Sequence, residues 1–330
     1  MTIRTTPDPT PTPGHVTPDD DVIDLRDPPT TRSHDPGDEA ADAAPVPERD
    51  LVPSVRAILF VAALLVFLAG VQLFLFPLRT DEWFAWTIAS PMTAVFLGAS
   101  YWSAVALELT AARARRWSDA RIAIPAVFVF TTVTLIVTLV HIDKFHLARE
   151  LPDETNAVAW AWIGVYAVVP VLMIAAVIRQ RSTSTAIVDH QPLPRPVRGI
   201  LVAEAVGMLA LGAALLVAPT WADGAWPWTL TPLTARAVGA WLLGLGVAAG
   251  HAHLVDDVRA VRPLSITAVV FGVLQAAALL RFGDELDWGS VSAWAYVAAL
   301  VVIAVPGIWT LAVDLRSHET GPSRALRRAR

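Results

Sequence analysis

The sequence contains no cysteine, a single lysine and few charges for its length, with charged residues at 17% of 330 positions. Without cysteine there are no disulfides, thiolate nucleophiles, Cys-ligated zinc or iron–sulfur clusters, whatever the redox compartment. Basic charge is carried by arginine apart from Lys144. Signatures of soluble catalysis are missing as well. There is no phosphate loop, no Gly-x-Ser-x-Gly elbow and no His-Glu-x-x-His, and the connections between apolar stretches run to about 20 residues at most. Such a chain has no place for a separate catalytic domain, which argues against an ATP-driven pump or a receptor carrying its own kinase. No cofactor and no nucleic-acid partner is expected.

What the chain has in abundance is apolar surface: 55% hydrophobic residues and a mean hydropathy of +0.52, beyond what a soluble domain of this size carries. Eight apolar stretches, approximately 56–76, 91–109, 122–141, 157–178, 198–218, 233–253, 264–281 and 291–313, each approach the ~20 residues needed to cross about 30 Å of hydrocarbon. Uninterrupted runs of that length satisfy their backbone as helices, not as the alternating strands of a barrel. The expected fold class is an all-α integral membrane protein with eight transmembrane helices as two parallel four-helix repeats, preceded by a disordered tail.

The tail is residues 1–50, rich in Pro, Asp and Thr and poor in large apolar groups, so it cannot bury enough surface to offset its ordering entropy. Its four Thr-Pro pairs suit kinase targets, a docking ligand for protein partners or simple low complexity. It lacks the features of a signal peptide. At the other end "SRALRRAR" is strongly basic and suits anionic lipid. Seventeen basic residues beside the spans fall on one side, including Arg56, Arg113, Arg121, Arg198 and Arg262, against five on the other (Arg79, Lys144, Arg149, Arg236 and Arg281). By the positive-inside rule both termini face the cytoplasm of a plasma membrane.

The second half repeats the first. At a spacing of 142, Val55, Arg56, Gly70, Pro77, Asp81 and Trp86 match Val197, Arg198, Gly212, Pro219, Asp223 and Trp228. After one deletion Pro91, Thr93, Gly98, Arg121 and Phe130 match Pro232, Thr234, Gly239, Arg262 and Phe271. This register defines residues 51–182 and 183–316 as two four-helix units, between the cytoplasmic tails 1–50 and 317–330. An even number of spans per unit makes the repeats parallel, unlike the inverted repeats of many transporters.

Trp83, Trp86, Trp226 and Trp228 are expected at the outer interface, where amphipathic rings sit at headgroup depth. Pro91 and Pro232 suit helix starts, and Gly98 and Gly239 suit close helix packing. Beside this folding reading stands a functional one, in which Asp81, Trp86, Asp223 and Trp228 line an outer vestibule.

Intramembrane polar groups supply the other candidates. Glu204 lies about 9 Å beyond Arg198 at 1.5 Å per residue, opposite Ala62 of the first copy, and reads as a proton or cation site or as a group bonded to a neighbouring helix. Arg236, opposite Val95, meets an anion or snorkels. Thr131, Thr134, Thr138 and His141 share one helix face, a polar stripe bordering water or bonding between helices. Gln275 falls near the position matching Thr134. Glu108 and Asp314 sit near cytoplasmic ends, where pairing with arginines explains them. His146 with Glu150, and His251 with His253, lack a recognised ligand pattern, so no metal site is expected.

The stretch "FAWTIASPMTAVFLGASYW" resembles one found in uncharacterised actinobacterial multi-pass membrane proteins, which implies membrane topology and no biochemical role. Three function classes remain open: permease-like binding or transport of a small molecule or lipid along the inter-repeat seam; a scaffold or accessory subunit whose seam is packed; and an intramembrane lipid-acting enzyme. No catalytic residue pair is recognisable for the last.

Overall fold

A computed structural model describes residues 50–148, 152–181 and 191–320; residues 1–49, 149–151 (with Arg149 and Glu150), 182–190 and 321–330 lie outside it, and the side chains of Arg181, Ala222, Asp223 and 314–320, Asp314 among them, are likewise not described. The described residues hold eight helices long and apolar enough to cross a membrane and no strand, only the isolated bridges Asp50–Arg116 and Trp86–Phe145. We label them α1 (Pro53–Gly70, continued by a π-turn over Val71–Leu75), α2 (Pro91–Arg113), α3 (Ala123–Val140), α4 (Asp153–Arg181), α5 (Arg195–Val217), α6 (Pro232–Val255), α7 (Val258–Phe282) and α8 (Val291–Thr320).

The matched prolines do start helices. Pro91 follows the N-cap Ser90, whose hydroxyl accepts from Thr93 N, and Pro232 follows Thr231, which forms a capping box with Thr234. The seventh helix begins earlier than its apolar run, because the Asp257 side chain caps it by accepting from the amides of Arg259 and Ala260.

Helix ends meet at two faces. On the arginine-rich face, Leu51 N donates to Arg115 O and the Arg56 guanidinium to Ala114 O, joining the start of α1 to the end of α2. The start of α5 is held to the end of α6 in the same manner, by Leu193 N on Asp256 Oδ1 and by an Arg198–Asp256 ion pair of 3.0 Å. Leu51, Arg56 and Arg115 are the register partners of Leu193, Arg198 and Asp256. On the opposite face, Glu285 after α7 accepts from Met92 N at 2.9 Å and from the Ser90 hydroxyl, so the second half caps α2 of the first.

Close backbone contact sorts the helices into two sets. α1 packs on α2, α2 on α7 and α7 on α8; α5 packs on α6, α6 on α3 and α3 on α4. Each set combines a hairpin from each half, and between the sets the backbones stand further apart. Aromatic side chains bridge that gap. Tyr101 meets Trp241 with ring centroids 5.0 Å apart, and Phe96 meets Trp226 at 5.4 Å. Such contacts are worth about 0.5–1.5 kcal/mol beyond burial.

Within a set, glycine permits the approach. A Cβ at Gly98 would sit 2.5 Å from Phe74 N, and one at Gly239 would sit 2.8 Å from Gly212 O, both backbone atoms that cannot step aside. We predict that Gly98→Ala lowers the stability of the detergent-solubilised protein by about 1–3 kcal/mol through overpacking. Gly164→Ala, where nothing lies within 4 Å, should leave thermal unfolding followed by tryptophan fluorescence nearly unchanged. Equal melting temperatures for the two variants would contradict the packing assignment.

Candidate functional site

A large cavity lies where α5 and α8 diverge. It measures about 530 Å³ and runs from Ala203 and Glu204 past Gly207, Ala295 and Ala299 to Trp226. Its walls are open because the residues there are small. In the register of the two copies, Ala203, Gly207 and Leu242 stand where the first half carries Val61, Leu65 and Tyr101. Ala203, Gly207, Ala295, Ala298 and Ala299 are exposed, so the groove opens on the outside of the bundle. From Ser292 to Ile303 on α8 it spans about 16 Å at 1.5 Å per residue, roughly one leaflet of a ~30 Å hydrocarbon core.

Two polar atoms in this groove have no partner. Glu204 Oε1 is buried and unbonded at one end, and Trp226 Nε1 at the other. A second, smaller space of about 50 Å³, lined by Ala249, Val261, Ser265 and Thr310, meets the groove at Glu204. The hydroxyls of Ser265 and Thr310 donate to Val261 O and Pro306 O of their own helices, leaving the carboxyl as the uncommitted group. Between these ends the surface is alkyl and aromatic. The arrangement suits a molecule with an apolar body and a polar head that donates a hydrogen bond or carries positive charge.

Of the other expected path residues, none lines the groove. Thr134 and Thr138 are buried in packed core. Thr138 donates to Thr134 O and accepts from Trp162 Nε1 at 3.1 Å, while the Thr134 hydroxyl has no partner. Thr131 donates to Val127 O, so two of the three threonines bond back into α3. Gln275, fully buried, donates to Phe96 O at 3.1 Å and accepts from the Tyr296 hydroxyl at 3.0 Å, tying together α2, α7 and α8. Tyr296 borders the groove, so Gln275 shapes it indirectly.

Arg236 neither snorkels nor stands alone. Its Nε donates to Leu216 O at the end of α5, and its Nη1 meets His141 Nε2 at 2.7 Å. Phe74 O, the register partner of Leu216 O, is met by another guanidinium, that of Arg281 on α7. Both helix ends carry orphan carbonyls near the membrane boundary, and an arginine answers each.

The proposed vestibule quartet does not assemble. Asp81 is exposed, whereas Trp86 and Trp228 are 3% and 5% exposed and wedge into the aromatic core. Trp228 Nε1 donates to Thr93 across the halves at 2.8 Å. The side chain of Asp223 lies outside the described residues. Of the four tryptophans expected at headgroup depth, Trp83 alone is exposed, at 42%. The crevice actually present on this face, about 380 Å³, is formed by Ser90, Thr229, Thr231, Thr234 and Glu285. Glu285 was not singled out by sequence, because its partner Ser90 lies 195 residues away. Glu108 also departs from expectation. It is 2% exposed with Oε2 unpartnered, instead of pairing with the arginines beyond it.

Among the described residues no three His, Asp or Glu side chains gather as a metal site requires. The eight apolar helices define the class of a multi-pass, all-helical membrane protein. No family model, curated protein or solved structure matches the chain.

His141 lies just past the end of α3, and burial, then the adjacent Arg236 charge, holds its imidazole below the ordinary value. The unfolded chain therefore binds the proton more readily than the folded one. This contribution to stability is complete above the unfolded value of about 6.5 and fades as pH falls below it. We predict that the melting temperature in detergent drops between pH 7.5 and 5.5, and that His141→Gln makes the drop shallower. An unchanged slope in the variant would show that this contact carries none of the pH dependence.

Proposed function

We propose that the protein binds, and moves within or across the membrane, an amphipathic small molecule or lipid bearing a cationic or hydrogen-bond-donating head. One observation carries this reading: the uncommitted carboxyl of Glu204 on the wall of a lipid-length groove. A guest enters sideways from the bilayer through the gap between α5 and α8. Its head meets Glu204 and its chain lies along the alanine and glycine wall toward Trp226. The path thus lies beside the aromatic seam, because that seam is filled by interlocked rings.

In the same reading the two halves are parallel repeats, supported by the matched contacts of Leu51 with Arg115 and Leu193 with Asp256. The arginine-rich face is cytoplasmic in a plasma membrane, supported by the charge asymmetry. The tails contact protein partners and anionic lipid. A scaffold without transport is the second reading, favoured by the packing of Thr138, Gln275 and Tyr101 in the seam.

The binding test uses radiolabelled dodecylamine and the full chain in nanodiscs. Wild type should bind saturably. Glu204→Gln should weaken binding about tenfold, the loss of one charge-assisted hydrogen bond of about 1.5–3 kcal/mol. Gly207→Phe, in open space on the groove wall, should abolish it without unfolding the bundle. Equal binding by wild type and both variants would sink the groove assignment, and no saturable binding by a folded wild type would favour the scaffold.

Orientation has its own test, since a chain without cysteine accepts single reporters. Thr229→Cys should react with an impermeant maleimide on intact cells and Ser118→Cys only after permeabilisation. The reverse pattern would invert the topology.

A further inference from the structure

The first half encloses a carboxyl that the groove does not involve. Glu108 lies five residues before Arg113, so about 7 Å from the end of α2 at 1.5 Å per residue. It borders a cavity of about 60 Å³ lined by Ala62 of α1, Thr131 of α3, Tyr166 of α4, Trp241 of α6 and Thr267 of α7. Since a water needs roughly 10–15 Å³ of such space, the cavity has room for a few.

The neighbouring hydroxyls are committed elsewhere. Ser103 donates to Ser100 O, Thr131 to Val127 O and Thr267 to Pro263 O, while the Tyr166 hydroxyl is shared with Tyr101 at 2.7 Å. The one other titratable side chain facing the cavity is Tyr166 from α4; α1, α3, α6 and α7 contribute no titratable or charged group to its lining. A hard metal ion wants six or more oxygens, which this lining cannot supply. An unpaired carboxylate here costs several kcal/mol, and the neutral acid far less. The ligand that fits is a proton.

The register of the two copies adds an independent observation. Glu108 matches Ala249, and Glu204 matches Ala62. Ala62 lines the cavity of Glu108, and Ala249 lines the small space beside Glu204. The two cavities are therefore bordered by the same two matched positions, one Glu and one Ala, with the assignments exchanged. Since alanine serves at each position in the other copy, packing of the helices demands a carboxyl at neither.

We propose that Glu108 is a proton-binding site, which takes up and releases a proton through its own cavity independently of the Glu204 groove. Infrared difference spectra of the full chain in liposomes, wild type minus Glu108→Gln, read this without requiring a reagent to enter. The difference at pH 7 should contain the carbonyl stretch of a protonated carboxylic acid, and that band should give way to carboxylate bands as pH is raised toward 10. Glu204→Gln should retain the Glu108 band, so failure of the groove reading and failure of this one are separable.

Dicyclohexylcarbodiimide supplies a chemical check. The acid O–H adds across one C=N bond of the reagent to give an O-acylisourea, which rearranges to a stable N-acylurea with no group lost. Mass spectrometry should find the adduct on the peptide containing Glu108 in wild type and Glu204→Gln, at a rate falling at least tenfold from pH 7 to pH 10. Carboxylate bands already present at pH 7, or an acid band unchanged at pH 10, would overturn the proposal.

Discussion

The spacing between two sets of helices governs the rest of this bundle. Within each set, glycines and alanines let backbones touch; Gly212 and Gly239 bring α5 and α6 so close that a methyl on either would strike the other's carbonyl. Between the sets that option is not used, and rings fill the gap: Tyr101 of α2 against Trp241 of α6 and Phe130 of α3, and Phe96 of α2 against Trp226. A tightly packed interface leaves no room for a guest. An interface held apart by rings leaves space wherever a ring is missing. Both carboxyl cavities and the groove occur there: α5 and α8 belong to different sets, as do α2 and α6 around Glu108.

The exchange of hairpins between halves has an energetic consequence. Because α2 packs on α7 and α6 on α3, neither half buries its central helix alone. Glu285 capping α2, Gln275 bonding Phe96 O and Trp228 bonding Thr93 are all contacts from the second half to the first. Polar bonds between membrane helices contribute modestly one at a time, about 1 kcal/mol or less, so it is their number over the first turns of α2, from Ser90 to Phe96, that holds the halves in register.

Span number, helix starts and packing glycines were legible in the sequence because each has a local cause. Twenty apolar residues must be a helix in lipid, a proline after Ser90 or Thr231 begins one, and a glycine in a membrane helix marks a neighbour. The site was legible only in part. Glu204 stood out by depth and by its alanine partner, and it does line the groove. Glu108 satisfies the same two criteria but sits near an arginine cluster, and linear proximity wrongly suggested pairing; on a helix the side chain's azimuth, which depends on neighbours distant in sequence, decides whether it reaches the surface. The tryptophans misled for a similar reason. An indole near a span end reads as an interfacial anchor, yet Trp86, Trp226 and Trp228 precede their helices in segments that fold inward.

The polar substitutions between the two copies fall into two kinds, and the distinction bears on function. Arg236 for Val95 and Arg281 for Val140 are compensated: each guanidinium finds the orphan carbonyl of a helix end, Leu216 O or Phe74 O, so the two halves meet one requirement from two different positions. Glu204 for Ala62 and Glu108 for Ala249 are not compensated, since each leaves a buried oxygen without a partner. A buried polar atom without a partner typically costs 1–3 kcal/mol, and alanine removes that cost at the matched site of the other copy. Stability therefore supplies a reason for the arginines and none for the glutamates. In the readings proposed above, what binds them supplies that reason: a proton at Glu108 and an amphipathic head at Glu204.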